Sequence, residues 1–176
     1  PEMIVFAGDT IRFDRADLRE RMDRELIAFS YMHTNSHLII KRANRLFPVI
    51  EPILKENGIP DDLKYLMVIE SNLDPKSLSS AGAAGLWQFV QATGRSYGLE
   101  VNANIDERYN IRKSTVAACK YLAEAYQKYG NWMTVAASYN GTSTSTASSA
   151  WARYMTWAMR TTSMAVDSAL SSGPNS

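Results

Sequence analysis

Glu70 is the residue of this sequence best suited to proton chemistry. It closes the stretch Ile59-Pro60-Asp61-Asp62-Leu63-Lys64-Tyr65-Leu66-Met67-Val68-Ile69-Glu70-Ser71. Pro60 followed by two aspartates is a helix start, since proline suits the first turn and acids favour the positive end of the helix dipole. Along such a helix Leu63, Leu66, Met67 and Glu70 fall at i, i+3, i+4 and i+7, the spacing of a core-facing stripe. A carboxyl group then stands where the pattern asks for an aliphatic side chain. Burial disfavours its charged form, so it is expected to titrate high and to hold a proton near neutral pH, as a general acid must. The plain alternative is a helix-end Glu turned to water, ahead of the loop that Asn72 and Asp74 announce.

Two further clusters follow. The first is Ser80-Ala81-Gly82-Ala83-Ala84-Gly85-Leu86-Trp87-Gln88-Phe89. Gly82 and Gly85 permit positive φ and let another chain or a ligand come close. Gln88, read as lying on the first turn of the next helix, offers an amide that donates and accepts, as the N-acetyl groups of sugars require. Trp87 either lies under a sugar ring or fills the core. The alternative is a small-residue loop packing two helices together. The second cluster is Ala137-Ser138-Tyr139-Asn140-Gly141. Tyr139 shares an inward helix face with Trp132, Val135 and Ala136 but carries a hydroxyl that needs a partner. A buried Tyr beside a buried Glu would satisfy both groups, although an ordinary core tyrosine fits the same spacing. Asn140 caps the helix or reaches a ligand.

The elements that must position these residues are helical. Residues 1–13 read as a short, mixed, extended segment, and Asp14 to Ser30 as a charged surface helix. Residues 36–57 carry Ile39, Ala43, Leu46, Phe47, Ile50, Ile53 and Leu54 at helical spacing, with Pro48 and Pro52 expected to kink or split the run. Asn57-Gly58 stops it. After the Glu70 helix, residues 72–86 read as an ordered loop, Trp87 to Tyr97 as a helix ended by Gly98, and 99–109 as a polar connection. A helix over 110–129 puts Cys119, Leu122, Ala123 and Tyr126 on one face and ends at Gly130, after which Asn131 caps the Tyr139 helix. No run alternates as a strand would. Thr142–Ala150 is a low-complexity tract of Ser, Thr and Ala, Trp151 to Leu170 a weakly periodic helix, and Ser171–Ser176 a disordered tail.

Composition narrows the classes. The 176 residues are 45% hydrophobic, enough for one domain with its own core or one domain with an added arm. With 19 basic and 18 acidic residues and no basic run, there is no electrostatic case for nucleic acid. Cys119 is the single cysteine, so no internal disulfide forms. His33 and His37 sit one turn apart without a third ligand, so neither metal nor cofactor is expected. No apolar stretch is long enough to span a membrane. The chain begins at Pro1 and reads as a processed or trimmed piece, so an export signal or lipid anchor would lie outside it.

Glu70-Ser71, then Gly85-Leu86-Trp87-Gln88, then Ser138-Tyr139-Asn140-Gly141, in that order, resemble the soluble-lytic-transglycosylase, goose-lysozyme-like catalytic domain, with greatest likeness to the membrane-bound lytic transglycosylase D type. The resemblance runs from Phe47 to Gly141 and includes Gly58-Ile59-Pro60 and Ala92-Thr93-Gly94-Arg95-Ser96-Tyr97-Gly98-Leu99. It implies an all-α, lysozyme-like fold with a substrate groove. It implies cleavage of the β-1,4 bond between N-acetylmuramic acid and N-acetylglucosamine in bacterial peptidoglycan, in the periplasm or cell envelope. Carried over residue by residue, it makes Glu70 the catalytic acid and base. It makes Ser71 an orienting serine, Gln88 a glutamine lining the site, Tyr139 the tyrosine that hydrogen-bonds the catalytic carboxyl, and Asn140 its neighbour in the site. Residues 1–46 become an accessory helical arm and 47–170 the catalytic domain, expected to be monomeric.

Ordinary glycosidases use two carboxyl groups, about 5 Å apart when retaining and farther when inverting. Here the nearest second acid is Asp74, which Pro75 marks as a turn residue. With a single acid the substrate must supply the missing group, as the family's chemistry implies: the product is a 1,6-anhydro sugar and no water is consumed. A muramidase that uses water, and a glycan-binding module without turnover, are the alternatives. From residue 142 onward the sequence departs from the family pattern, and no site residue is carried over there.

Overall fold

The structure, a computed structural model, describes residues 3–12, 14–17, 19–20 and 33–140. It opens on a feature the sequence pattern did not announce, a β-hairpin. β1 (Met3–Phe6) pairs antiparallel with β2 (Asp9–Arg12), Phe6 opposite Asp9. Ala7 and Gly8 join them at φ +50° and +87°, the two-residue turn whose twist matches paired strands. Each strand spans four residues, too few for alternation to register. Tertiary docking holds the hairpin instead, with Phe6 buried in the domain core.

Helix α1 runs His33–Glu56 with both prolines inside it, so the expected break does not occur. Pro48 and Pro52 sit on the exposed side, where the carbonyls they deprive of donors can meet water. Leu46, Ile50, Ile53 and Leu54 are buried on the other side. Four such side chains at about 1.5–3 kcal/mol each offset two prolines at about 3 kcal/mol each. Residues 46 and 47, the expected boundary, both lie inside this helix.

Gly58, at φ +69°, turns the chain, and the Glu70 segment follows in two parts. Asp61–Tyr65 is a 3-10 turn and α2 spans Leu66–Ser71. Leu63, Leu66 and Met67 are fully buried, as the stripe predicts, and Tyr65 and Val68 are buried beside them. Even Lys64 is buried, held by Glu51 at 2.6 Å and Asp61 at 2.5 Å beneath the rings of Phe47 and Tyr65.

After α2 come α3 (Gln91–Ser96), a 3-10 turn over Glu107–Tyr109, α4 (Ile111–Tyr129) and α5 (Trp132–Asn140). Asn110 Oδ1 accepts from the Lys113 amide at 3.0 Å to start α4, and Gly130 at φ +73° ends it. α4 packs against both α1 and α5, with Ala117, Ala118, Cys119 and Leu122 in the core. Burial pushes the Cys119 thiol up to about 12, far from reactive thiolate. The all-α, lysozyme-like expectation is borne out, with the hairpin added. No described helix is long and apolar enough to cross a membrane. Most of the helix expected over Asp14–Ser30, and everything expected from Thr142 to Ser176, lie outside the described residues.

Candidate active site

Glu70 occupies the last turn of α2. The chain then reverses through two consecutive left-handed residues, Asn72 at φ +50° and Leu73 at φ +55°. Leu73 is fully buried, and this burial holds a conformation that side chains other than glycine rarely adopt. Glu70 is half-buried. Its carboxyl is pushed up to about 7, and burial is the cause. That is the protonation behaviour the stripe position predicts.

Ser71, one residue on, is buried. Its hydroxyl lies 2.8 Å from the Met67 carbonyl and 3.0 Å from that of Leu86, available to donate to either. It therefore ties the end of α2 to the glycine-containing loop. Asp74 is engaged elsewhere: it accepts from Arg42 at 3.2 Å and from the Lys76 amide at 3.0 Å, while the second Arg42 nitrogen donates to the Asn72 carbonyl at 3.0 Å. It works as the turn residue its sequence suggested.

The loop 77–90 corrects the expectation of a helix from Trp87. Helix α3 begins only at Gln91, and Gln88 sits at φ +51° inside a tight reversal, with Ala84 bridging to Phe89. The reason is the backbone around Gly85. At φ +78° a Cβ there would stand 2.0 Å from the Arg108 carbonyl oxygen, so the loop and the bend at 108 touch through bare backbone. Gln88 Nε2 donates to the carbonyls of Gly85 at 2.8 Å and Ser77 at 3.3 Å. Neither bond uses Oε1. Trp87 is fully buried and its indole N–H donates to Thr115 Oγ1 at 3.1 Å. Of its two possible roles, the core is the one it fills.

Tyr139 lies on the inward face of α5, as predicted, and its hydroxyl donates to the Trp87 carbonyl at 2.7 Å. The proton that the resemblance assigned to the carboxyl goes instead to this backbone oxygen. Glu70 is nonetheless close enough to be felt: burial first, and then the Glu70 charge, raise the Tyr139 phenol well above its ordinary value. Tyr121 on α4 is also raised, by burial first, then by neighbouring Tyr129 and Glu124, and least by the Glu70 charge. The Tyr121 ring meets Tyr139 edge-on at 5.2 Å and Tyr97 at 5.4 Å. Asn140 ends α5, and its side chain lies outside the described residues.

A cavity of about 470 Å³ opens beside this tyrosine ladder, lined by Tyr97, Tyr121, Glu124, Lys128, Tyr129 and Ser138 among others. A larger one, about 710 Å³, lies between Pro48, Pro52 and Pro60, away from Glu70. The sequence reading passed over two residues the structure makes central. Tyr121 is one. The other is Arg108, buried in what read as a polar connection. Arg108 grips Asp106 through Nε at 2.9 Å and Nη2 at 2.6 Å, and its Nη1 donates to the carbonyls of Gly82 at 2.7 Å and Phe89 at 2.9 Å. The available signal was an Asp and an Arg two apart after a polar run, which spacing alone does not separate from solvent-facing charges.

The Transglycosylase SLT domain family model matches residues 47–157. The chain is 32% identical over 143 residues to the membrane-bound lytic murein transglycosylase D of Escherichia coli strain K12, covering 79% of this chain and 31% of that protein. It is 26% identical over 96 residues to a putative tributyltin chloride resistance protein of Alteromonas sp. strain M-1, covering 54% of this chain and 46% of that one. The chain thus spans about a third of the first relative's length and about half of the second's. The helical fold, the Glu70 turn and the match across the three motifs agree: the chain belongs to the Transglycosylase SLT domain family.

Proposed function

We propose that this domain is a peptidoglycan lytic transglycosylase, cleaving the β-1,4 bond from N-acetylmuramic acid to N-acetylglucosamine with Glu70 as acid and then base. The observation that carries the proposal is Glu70 itself, a half-buried carboxyl raised to about 7 by burial. Protonated Glu70 gives its proton to the glycosidic oxygen as the bond to the anomeric carbon breaks. The acetamido oxygen of the same sugar stabilises the positive carbon. Glu70, now ionised, takes the proton of the muramic C6 hydroxyl, whose oxygen bonds to C1. A 1,6-anhydro end forms, no water is consumed, and Glu70 is left protonated for the next turnover. A group that donates and then accepts works best with its pKa near the working pH.

Ser71 and Tyr139 hold the backbone around the reacting carboxyl, and Gln88 Oε1 and Asn140 serve the bound glycan. The engagement of Asp74 by Arg42 disfavours it as a second catalytic acid and so disfavours a hydrolytic muramidase. We place the enzyme in the bacterial cell envelope, with residues 47–170 as its catalytic domain and glycan strands as its partner. Mass spectrometry of digested sacculi tests the reading. Anhydro ends are expected; reducing ends would replace it with a hydrolase, and binding without any cleavage would replace it with a glycan-binding module.

A further inference from the structure

The hairpin at the start of the chain has no part in the chemistry just proposed, yet two of its groups reach the two elements that carry that chemistry. At its turn the Ala7 amide donates to the Asp62 carboxylate at 2.7 Å, at the beginning of the segment that leads into α2 and Glu70. On β2, Asp9 Oδ2 accepts from the amides of Trp132 at 3.1 Å and Met133 at 3.4 Å, the first turn of α5, whose far end carries Tyr139. Phe6, adjacent, is anchored in the core.

A helix start leaves its first amides without intrahelical partners. In α5 the work is divided: Asn131 Oδ1 takes the Thr134 amide at 2.7 Å, and Asp9 takes the two amides before it. A carboxylate there is also favoured by the helix dipole. Asn131 is already a sufficient local cap. A second acceptor reaching in from the N-terminal hairpin therefore fixes something a local cap cannot: where α5 stands relative to the Glu70 segment.

We propose that Asp9 is a positioning residue of the active site, and that the hairpin ties the start of α5 to the start of the Glu70 segment so that Tyr139 stays bonded over the Trp87 carbonyl beside Glu70. The proposal rests on the reading of Glu70 as the reacting acid. Releasing α5 loosens the Tyr139–Trp87 bond and admits water to the carboxyl, which then titrates nearer its ordinary value. Burial is what raises Glu70, and the described titratable groups that register its charge are the Tyr121 and Tyr139 phenols.

The test compares the whole chain with Asp9→Ala and Asp9→Asn. Turnover of purified sacculi is measured across pH, and Glu70 is titrated by carboxyl-carbon NMR. Asp9→Ala is expected to lose about tenfold in kcat with KM little changed, and its alkaline limb and its Glu70 titration should both move to lower pH. Asp9→Asn keeps an acceptor oxygen at the same reach and should stay within about twofold of the parent. An Asp9→Ala variant with the parent's kcat and pH limb overturns the proposal. So does one that melts earlier but keeps both per folded molecule, since Asp9 would then be a cap and nothing more. Should Asp9→Ala not fold, Asp9→Ser, whose hydroxyl falls short of Trp132, carries the same readings. A parent chain inactive on sacculi defeats the transglycosylase reading alone, and the NMR comparison still decides on Asp9.

Discussion

The end of α2 and the bend before α4 each carry a carboxyl group, and the domain treats the two in opposite ways. Asp106 is met by a buried arginine, and the Arg108 guanidinium holds it below the usual carboxylate range. Glu70 is withdrawn from water, and that burial holds it up at about 7. The first carboxyl is spent on architecture: with Arg108 it fixes the loop that carries Gln88. The second meets no ion-pair partner among the described residues, and burial alone sets its protonation. The carboxyl that architecture needs is paired, and the one the proposed chemistry needs is left to desolvation.

The sharpest way to break this contrast is Glu70→Gln. It removes the proton that the proposed chemistry moves and should lower turnover of sacculi by about a thousandfold or more, with the helical circular dichroism unchanged. Retained turnover would move the acid elsewhere. On the other side, Arg108→Met should strip Asp106 of its charged partner, leaving it the backbone amide of residue 108, and should take a donor from the Gly82 and Phe89 carbonyls, at a cost of about 3 kcal/mol in urea unfolding. Gly85→Ala should cost a similar amount, about 3 kcal/mol, because its methyl would meet the Arg108 carbonyl. A stable Arg108→Met chain with an intact loop would show that the ion pair is not what shapes this region.

These two sites also mark how far the sequence could be read. Glu70 was legible because a helical stripe with one wrong residue is a local pattern, and the α4 and α5 caps at Asn110 and Asn131 are local too. Arg108 was not legible, because its partners Gly82 and Phe89 are brought to it by a loop whose course depends on Gly85 touching a distant backbone. The hairpin was missed for the same reason: Phe6 and Asp9 find their partners in the core and on α5. Pro48 and Pro52 misled in the opposite direction, since a local rule was overridden by the buried face of α1. Ser71 was visible as part of a motif, but its bond to the Leu86 carbonyl was not.

Tyr139→Phe sharpens the comparison at smaller scale. It leaves the ring contacts with Trp87 and Tyr121 but removes the donor to the Trp87 carbonyl. Activity should fall about tenfold, in line with one positioning hydrogen bond at a reacting centre. An unchanged rate would make Tyr139 a core residue only.

The smallest effect follows from proton linkage at Glu70. Its folded value, about 7, lies above the ordinary 4.5, so the folded state binds the proton more tightly than the unfolded chain does. The stability this contributes is fully present below about 4.5 and is lost as pH rises through about 7. Because some solvent reaches the group, the loss should be roughly 1 kcal/mol, well under the full linkage value. Urea unfolding of the parent at pH 5 and pH 8 should show this fall, and Glu70→Gln should show a flatter profile with higher stability at pH 8. Asp106→Asn should do the reverse, weakening the fold at pH 8 because its lowered carboxyl is charged and paired there. If the Glu70→Gln profile matches the parent's, the carboxyl is ionised and hydrated at neutral pH, and the acid step assigned to it has no proton to start from.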